Sequence, residues 1–165
     1  MKMYVQQKVF RLADEFTVYD ENKQPLYYVY GKLFSWSKQS RICDAYNQDV
    51  GMIKQKIFSF LPRFQLYIDD VVVAEVKKRF SLFHPSYNIE GLNWQCDGDF
   101  WAHNYSITHN DEIIATIKKE WLSWGDFYTI DVADEDDSLE VLLVCLTIDA
   151  CLQMNNSSVS VNSDD

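Results

Sequence analysis

One stretch near the C-terminal end constrains the fold of this chain more than any other. Residues 138–154 carry Leu139, Val141, Leu142, Leu143, Val144, Cys145, Leu146, Ile148, Ala150, Cys151, Leu152 and Met154, with Glu140, Thr147, Asp149 and Gln153 as polar exceptions. The stretch opens on Asp137-Ser138-Leu139-Glu140, an acceptor followed by Glu as in a capping box, with acids suited to a helix N-terminus. At helical spacing its apolar side chains cover every face, so the helix must be enclosed. A bilayer span needs about 20 apolar residues. The run Leu139–Leu152 is shorter than that and contains Glu140 and Asp149. Protein, rather than lipid, has to surround it.

The rest of the chain supplies the enclosure. It alternates at period two and is rich in β-branched and aromatic residues. Strands are expected near 3–10, 15–20, 26–34, 41–46, 50–59, 63–69, 71–80, 85–90, 92–96, 103–109, 112–120 and 126–132. Turn signals separate them at Asp20-Glu21-Asn22, Asp69-Asp70, Asp97-Gly98-Asp99 and Asn110-Asp111. About eight strands close into a barrel filled by its own side chains, whereas about twelve leave room for an occupant. Closure also removes exposed edges. The expected fold is therefore mainly β: a closed antiparallel barrel of about twelve strands enclosing a hydrophobic C-terminal helix. With 165 residues, 47% of them apolar and 15% aromatic, the chain suits one domain with a large core. Residues 1–154 form that domain in this reading, with the helix at 138–154. Residues 155–165, polar and rich in Ser and Asn, form a disordered acidic tail.

The strands also repeat. With Val29, Ile53, Val76 and Ile117 as position zero, an aromatic follows at position +7 (Trp36, Phe60, Phe83, Trp124) and an aliphatic at +13 (Ile42, Leu66, Ile89, Ile130). Position +11 is Phe64, Tyr87 and Tyr128 in the last three copies, and Ser35, Ser59 and Ser123 hold +6. Each copy reads as strand, aromatic-tipped turn, strand. The copies are offset by 24, 23 and 41 residues, so an extra hairpin fits into the last gap.

These patterns meet in a resemblance. The segments Phe16-Thr17-Val18-Tyr19-Asp20-Glu21, Glu90-Gly91 with Trp94, Gly98-Asp99-Phe100, Tyr105-Ser106-Ile107, Ile117-Lys118-Lys119 and Trp124-Gly125-Asp126-Phe127-Tyr128-Thr129-Ile130, followed by an acidic turn and a long apolar helix, resemble the LURP-one-related family. That family shares the Tubby C-terminal-like fold with phospholipid scramblases. The resemblance covers roughly residues 3–154 and implies a twelve-stranded barrel around a central helix. Tubby-like domains are associated with phosphoinositide head groups, and scramblases with anionic lipid and calcium. No counterpart of either set of binding residues is recognisable here, and a shared fold does not carry function with it.

Charge narrows the function classes. The formal net charge is −10, but residues 131–165 hold nine acids and no Lys or Arg, so residues 1–130 are close to neutral with 15 bases and 16 acids. That balance disfavours nucleic acid as a partner, since phosphate neutralisation needs a basic surface. The start, Met1-Lys2-Met3-Tyr4-Val5-Gln6-Gln7-Lys8, lacks an apolar signal region, so a cytoplasmic location is expected. Cys43, Cys96, Cys145 and Cys151 have no zinc-like spacing and read as buried small hydrophobes in a reducing compartment. Catalytic signatures such as G-x-S-x-G, a P-loop, H-E-x-x-H and G-x-G-x-x-G are missing. Cys96, His103 and His109 would approach one another as a metal site only if His103 and His109 share the face of a regular strand, and ordinary histidines are the simpler reading. Asp131 to Asp137 lack an EF-hand pattern. The expectation is a protein that is not an enzyme and uses no cofactor.

Two surface features stand out. Positions +1 carry Lys54, Lys77 and Lys118, and positions +3 carry Lys32, Lys56 and Arg79. Alternate residues share a face, so these bases lie opposite Ile53, Ile57, Val76, Phe80, Ile117 and Trp121, along the outer wall of a barrel. Such a stripe suits anionic lipid head groups, at about 1 kcal/mol per base near a charged membrane. It equally suits plain solvation, and Glu120 interrupts it. The alternative is a protein partner held by the turn aromatics Trp36, Phe60, Phe83 and Trp124, because aromatic anchors dominate many interfaces.

Overall fold

The computed structural model describes residues 1–6, 15–31, 39–56, 61–79, 86–122 and 125–159. Twelve strands follow in chain order: β1 (Lys2–Gln6), β2 (Glu15–Tyr19), β3 (Pro25–Tyr30), β4 (Gln39–Asp44), β5 (Asp49–Gln55), β6 (Arg63–Ile68), β7 (Val71–Arg79), β8 (Ser86–Glu90), β9 (Trp94–Asp99), β10 (Asn104–His109), β11 (Glu112–Leu122) and β12 (Gly125–Val132). Each pairs antiparallel with its sequence neighbours, and β1 pairs with β12, so the sheet closes on itself. A 3₁₀ turn (Glu135–Asp137) leads into the helix α1 (Ser138–Val159).

The sequence repeat is the barrel's register. Positions zero and +13 are directly opposed across their hairpins: Val29 with Ile42, Ile53 with Leu66, Val76 with Ile89, and Ile117 with Ile130. All eight are buried, at no more than 2% exposure. The extra hairpin in the long gap is β9–β10, where Cys96 faces Ile107. The first hairpin, β1–β2, holds buried Val5 and Val18 at the same separation in sequence. Five of the six hairpins thus oppose inward aliphatics 13 residues apart, while Cys96 and Ile107 of β9–β10 are 11 apart.

The chain departs from expectation at β9. Trp94–Asp99 is strand, and the turn is at residues 100–103 rather than at Asp97-Gly98-Asp99. Gly98 has φ 137°, and a Cβ placed there would sit 2.6 Å from both the Asn104 carbonyl oxygen and the Tyr105 Cα. It is glycine because β10 passes too close for a side chain, not because the chain reverses there. Asp99 makes the turn instead, its carboxylate accepting from the Ala102 N–H at 3.0 Å. Gly98→Ala is expected to lower stability by about 1–3 kcal/mol; a urea denaturation midpoint equal to that of the unchanged protein would count against this account.

The helix lies inside. Its residues Val141 to Leu146 are at most 1% exposed. It comes close to β5 where Gly51 leaves room: a Cβ on Gly51 would touch Leu139 Cδ1 and Leu143 Cδ2 at 3.5 Å. Farther along, Gln55 Nε2 reaches Met154 Sδ at 3.8 Å, which gives the direction of threading. The expected cap at Asp137 is displaced. Asp134 caps the preceding 3₁₀ turn, accepting from the Asp136 N–H at 3.1 Å, while the Ser138 hydroxyl lies 3.1 Å from that of Tyr27. The helix runs on past Met154 to Val159, and residues 160–165 lie outside the described residues. Among the described residues no helix is long and apolar enough to cross a membrane.

Up-and-down connectivity sorts the two ends of the barrel. The entry rim, where α1 begins, carries the turns β2–β3, β4–β5, β6–β7, β8–β9 and β10–β11. These turns are acidic for local reasons. Asp20 accepts from the Asn22 and Gln24 N–H groups at 2.8 and 2.7 Å, and Asp44 accepts from Tyr46 and Gln48 at 2.9 Å each. Asp69-Asp70 and Asn110-Asp111 have positive φ at both residues, as two-residue hairpin turns of the primed type demand. The opposite end, the mouth, carries the β9–β10 turn and receives the last turns of α1.

Candidate functional site: a basic outer wall and a polar cluster at the barrel mouth

The strands place the candidate bases unequally. Lys54 on β5, Lys56 just after it, and Lys77 and Arg79 on β7 face outward, on the side opposite buried Ile53 and Val76. The strand between them, β6, adds Arg63, which the sequence did not single out and which stands directly across from Lys77. These five form one patch toward the mouth. Lys118 is exposed and outward but belongs to β11, separated from β7 by three strands, so it does not join them. Lys32 lies outside the described residues, as do Trp36, Phe60, Phe83 and Trp124. Ile57 and Phe80 fall there too.

The patch is not purely basic. Glu75, two residues before Lys77 and on the same face, sits among its cations. Lys56 Nζ is 2.6 Å from its carboxylate, Lys77 Nζ 3.5 Å and Arg63 Nη1 3.9 Å. Lys77 also pairs with Glu90 on β8. Burial pushes the Glu75 carboxyl up, but the hydrogen bond and charge of Lys56 and the charge of Lys77 outweigh it and hold the group below its ordinary range. The hydrogen bond to Glu90 pushes the Lys77 ammonium up. Lys54 lies over the Tyr67 ring, 5.0 Å from its centroid. Glu75 was legible by alternation; its three partners required the register of β5, β6 and β7.

The interior holds a second polar group. Asp149 on α1 is 3% exposed, and its Oδ2 accepts from the Tyr128 hydroxyl on β12 at 3.0 Å. Its Oδ1 lies 3.5 Å from His103 Nδ1. The His103 and Tyr128 rings stack with centroids 5.0 Å apart and planes within 2°. Burial pushes the Asp149 carboxyl up to about 7, against the Tyr128 hydrogen bond, which draws it down. Tyr87 on β8, Tyr105 on β10 and Cys145 and Cys151 on α1 share this environment, each raised chiefly by burial and further by the charge of Asp149. The sequence marked Asp149 only as an exception within the helix; nothing in its neighbours predicted His103 beside it.

This arrangement corrects the histidine reading. His103 is in the β9–β10 turn with φ 49°, not in a strand, and β10 is irregular between Ile107 and Thr108. It therefore does not share a strand face with His109, whose ring approaches the Asn110 side chain at 3.1 Å. Among the described residues no three His, Cys, Asp or Glu side chains are grouped to hold a metal ion.

Comparison with known proteins agrees with this architecture. The chain is 33% identical over 152 residues to the uncharacterized protein YxjI of Bacillus subtilis (strain 168), covering 92% of this chain and 94% of that protein. Its fold is similar to the X-ray structure of an Arabidopsis thaliana protein, with a TM-score of 0.58 at 16% identity, covering 86% of this chain and 88% of the other. The profile of the LURP-one-related family matches residues 1–149. With that match running from the first strand into the enclosed helix, the chain belongs to the LURP-one-related family.

Proposed function

We propose that this LURP-one-related barrel is a non-enzymatic, cytoplasmic binding module that takes anionic lipid head groups on the outer wall of β5, β6 and β7. The observation that carries this reading is the contiguity of Lys54, Lys56, Arg63, Lys77 and Arg79 on three adjacent strands, with Glu75 and Glu90 as the carboxylates among them. The entry rim, with Asp20, Asp44, Asp69, Asp70 and Asp134 to Asp137, is repelled by the same surface, so the barrel would approach it with the mouth end. The four cysteines are free thiols, which suits a reducing compartment.

The test is co-sedimentation with neutral and anionic liposomes at low and high salt. Binding is expected to anionic vesicles alone, lost with salt and with joint neutralisation of Lys54, Lys56, Lys77 and Arg79. Glu75→Gln sharpens the test, because it releases Lys56, Arg63 and Lys77 from their shared carboxylate. It should tighten vesicle binding about fivefold, given about 1 kcal/mol per base. Unchanged or weaker binding by Glu75→Gln would remove the patch as the site. A second reading, a protein partner at the mouth, is favoured by Trp101, which is 51% exposed in the β9–β10 turn. It predicts salt-insensitive association that Trp101→Ala abolishes.

A further inference from the structure

We infer that a cleft on the outer wall of β4, β5 and β6, just below the entry rim, is a docking site for an arginine-bearing segment of a partner protein. Residues of five consecutive strands stand directly opposite one another there: Tyr30, Arg41, Met52, Tyr67 and Val72. The cleft opens within this row. Strand order sets Arg41 on one side and Asp69 and Asp70 on the other, with Asp49, Met52 and Tyr67 between them, around a volume of about 180 Å³. Pockets for free small molecules run to about 300–1,000 Å³. This one has room for a single side chain, so its occupant is attached to something larger.

One base in the cleft faces three acids, and that base is already matched. Arg41 Nη1 lies 3.2 and 3.3 Å from the two Asp49 carboxylate oxygens, and its guanidinium sits 5.1 Å from the centre of the Tyr30 ring. Asp49 also accepts from the Cys43 thiol at 3.0 Å. Among the described residues, the Asp69 and Asp70 carboxylates have neither an ion pair nor a hydrogen bond. The cleft is therefore left with two uncompensated negative charges. A metal ion does not answer them, since among the described residues no three His, Cys, Asp or Glu are grouped to hold one. A cation on an apolar stem does, because Met52 and Tyr67 offer the stem a surface. Arginine suits the place better than lysine: its planar fork meets carboxylates in pairs, and its flat face lies on aromatic rings. Apolar surface for the rest of the segment stands at the two hairpin tips that frame the cleft. Tyr46 of the β4–β5 turn is 85% exposed, and Val71 and Val72 at the start of β7 are 63% and 46% exposed. The bases of the proposed lipid surface lie farther toward the mouth, so this site does not depend on lipid binding.

Nuclear magnetic resonance of the whole protein, with carbon-13 in the methionine methyls and nitrogen-15 in the backbone, reads the cleft directly. Met52 lies in it, and Met3, fully buried in the core, is the control. N-acetyl-arginine amide is expected to shift the Met52 methyl and the Asp69 and Asp70 backbone signals saturably, and to leave Met3 in place. N-acetyl-citrulline amide, similar in shape but uncharged, should shift none of them. The peptide acetyl-Leu-Arg-Leu amide should bind about fivefold tighter than the single residue, the gain from taking about 40 Å² of apolar surface out of water. Joint Asp69→Asn and Asp70→Asn should weaken both arginine probes about tenfold or more. Asparagine tolerates the positive φ of this turn, so the variant keeps the fold. No saturable shift, an equal response to citrulline, undiminished binding by the double variant, or equal affinity for the two arginine probes would each overturn the docking site. Shifts of the same signals on diluting the protein alone would assign the cleft to a second copy and overturn it too.

Discussion

Leu143→Asp is expected to leave no cooperatively folded protein. Leu143 is fully buried in the second turn of α1 and lies against Gly51 of β5. A carboxylate there has no partner, and an unpaired charge in an apolar interior costs far more than a marginally stable domain can absorb, its whole stability being about 5–15 kcal/mol. Leu143→Ala supplies the comparison. It leaves a cavity, costs about 2–5 kcal/mol, and should yield a folded but weakened barrel. Far-ultraviolet circular dichroism with urea titration distinguishes the three proteins. A Leu143→Asp protein that melts cooperatively near the unchanged midpoint would mean that the helix is not enclosed.

The second large effect concerns protons. The Asp149 carboxyl has a folded pKa of about 7, raised by burial from 3.8. A raised pKa means that the folded state holds the proton more tightly than the unfolded state does. The associated stability is complete below 3.8 and is lost as pH climbs toward 7, after which the loss levels off. At about 1.4 kcal/mol per pH unit, Asp149→Asn should gain on the unchanged protein by up to about 4 kcal/mol between pH 4 and 7.5. The Asn carbonyl still accepts from Tyr128, so the substitution isolates the charge. Other carboxylates, such as Glu75, titrate in both proteins and cancel in the difference. Chemical denaturation of the pair across this range measures the effect, and a constant difference would show that Asp149 remains ionised throughout.

These two predictions rest on different kinds of legibility. Leu143 was marked by sequence alone, because a segment apolar on every face and too short for a bilayer has one solution, enclosure by its own protein. The twelve strands were equally plain, since side chains alternate at period two and the aliphatic pairs at zero and +13 recur in register. Local chemistry also spoke for the entry-rim turns, where Asp and Asn carry the positive φ that the hairpins demand. Gly98 was misread because a glycine serving a turn and a glycine serving close strand approach look identical in sequence.

The surfaces and the interior were another matter. The sequence offered Lys54, Lys56, Lys77, Arg79, Lys32 and Lys118 as one stripe; the order of strands grouped the first four, added Arg63, set Lys118 apart and put Glu75 at the centre of the charges. Lys32 and the turn aromatics lie outside the described residues. Period and composition determined the barrel, its occupant and the facing of each strand, because burial of apolar surface acts on each segment through its own repeat. Which charge meets which was decided only by tertiary structure. Electrostatic and hydrogen-bonded pairing depends on distances between residues far apart in the chain, and Asp149 with His103, 46 positions apart, met only when the helix was drawn through the barrel.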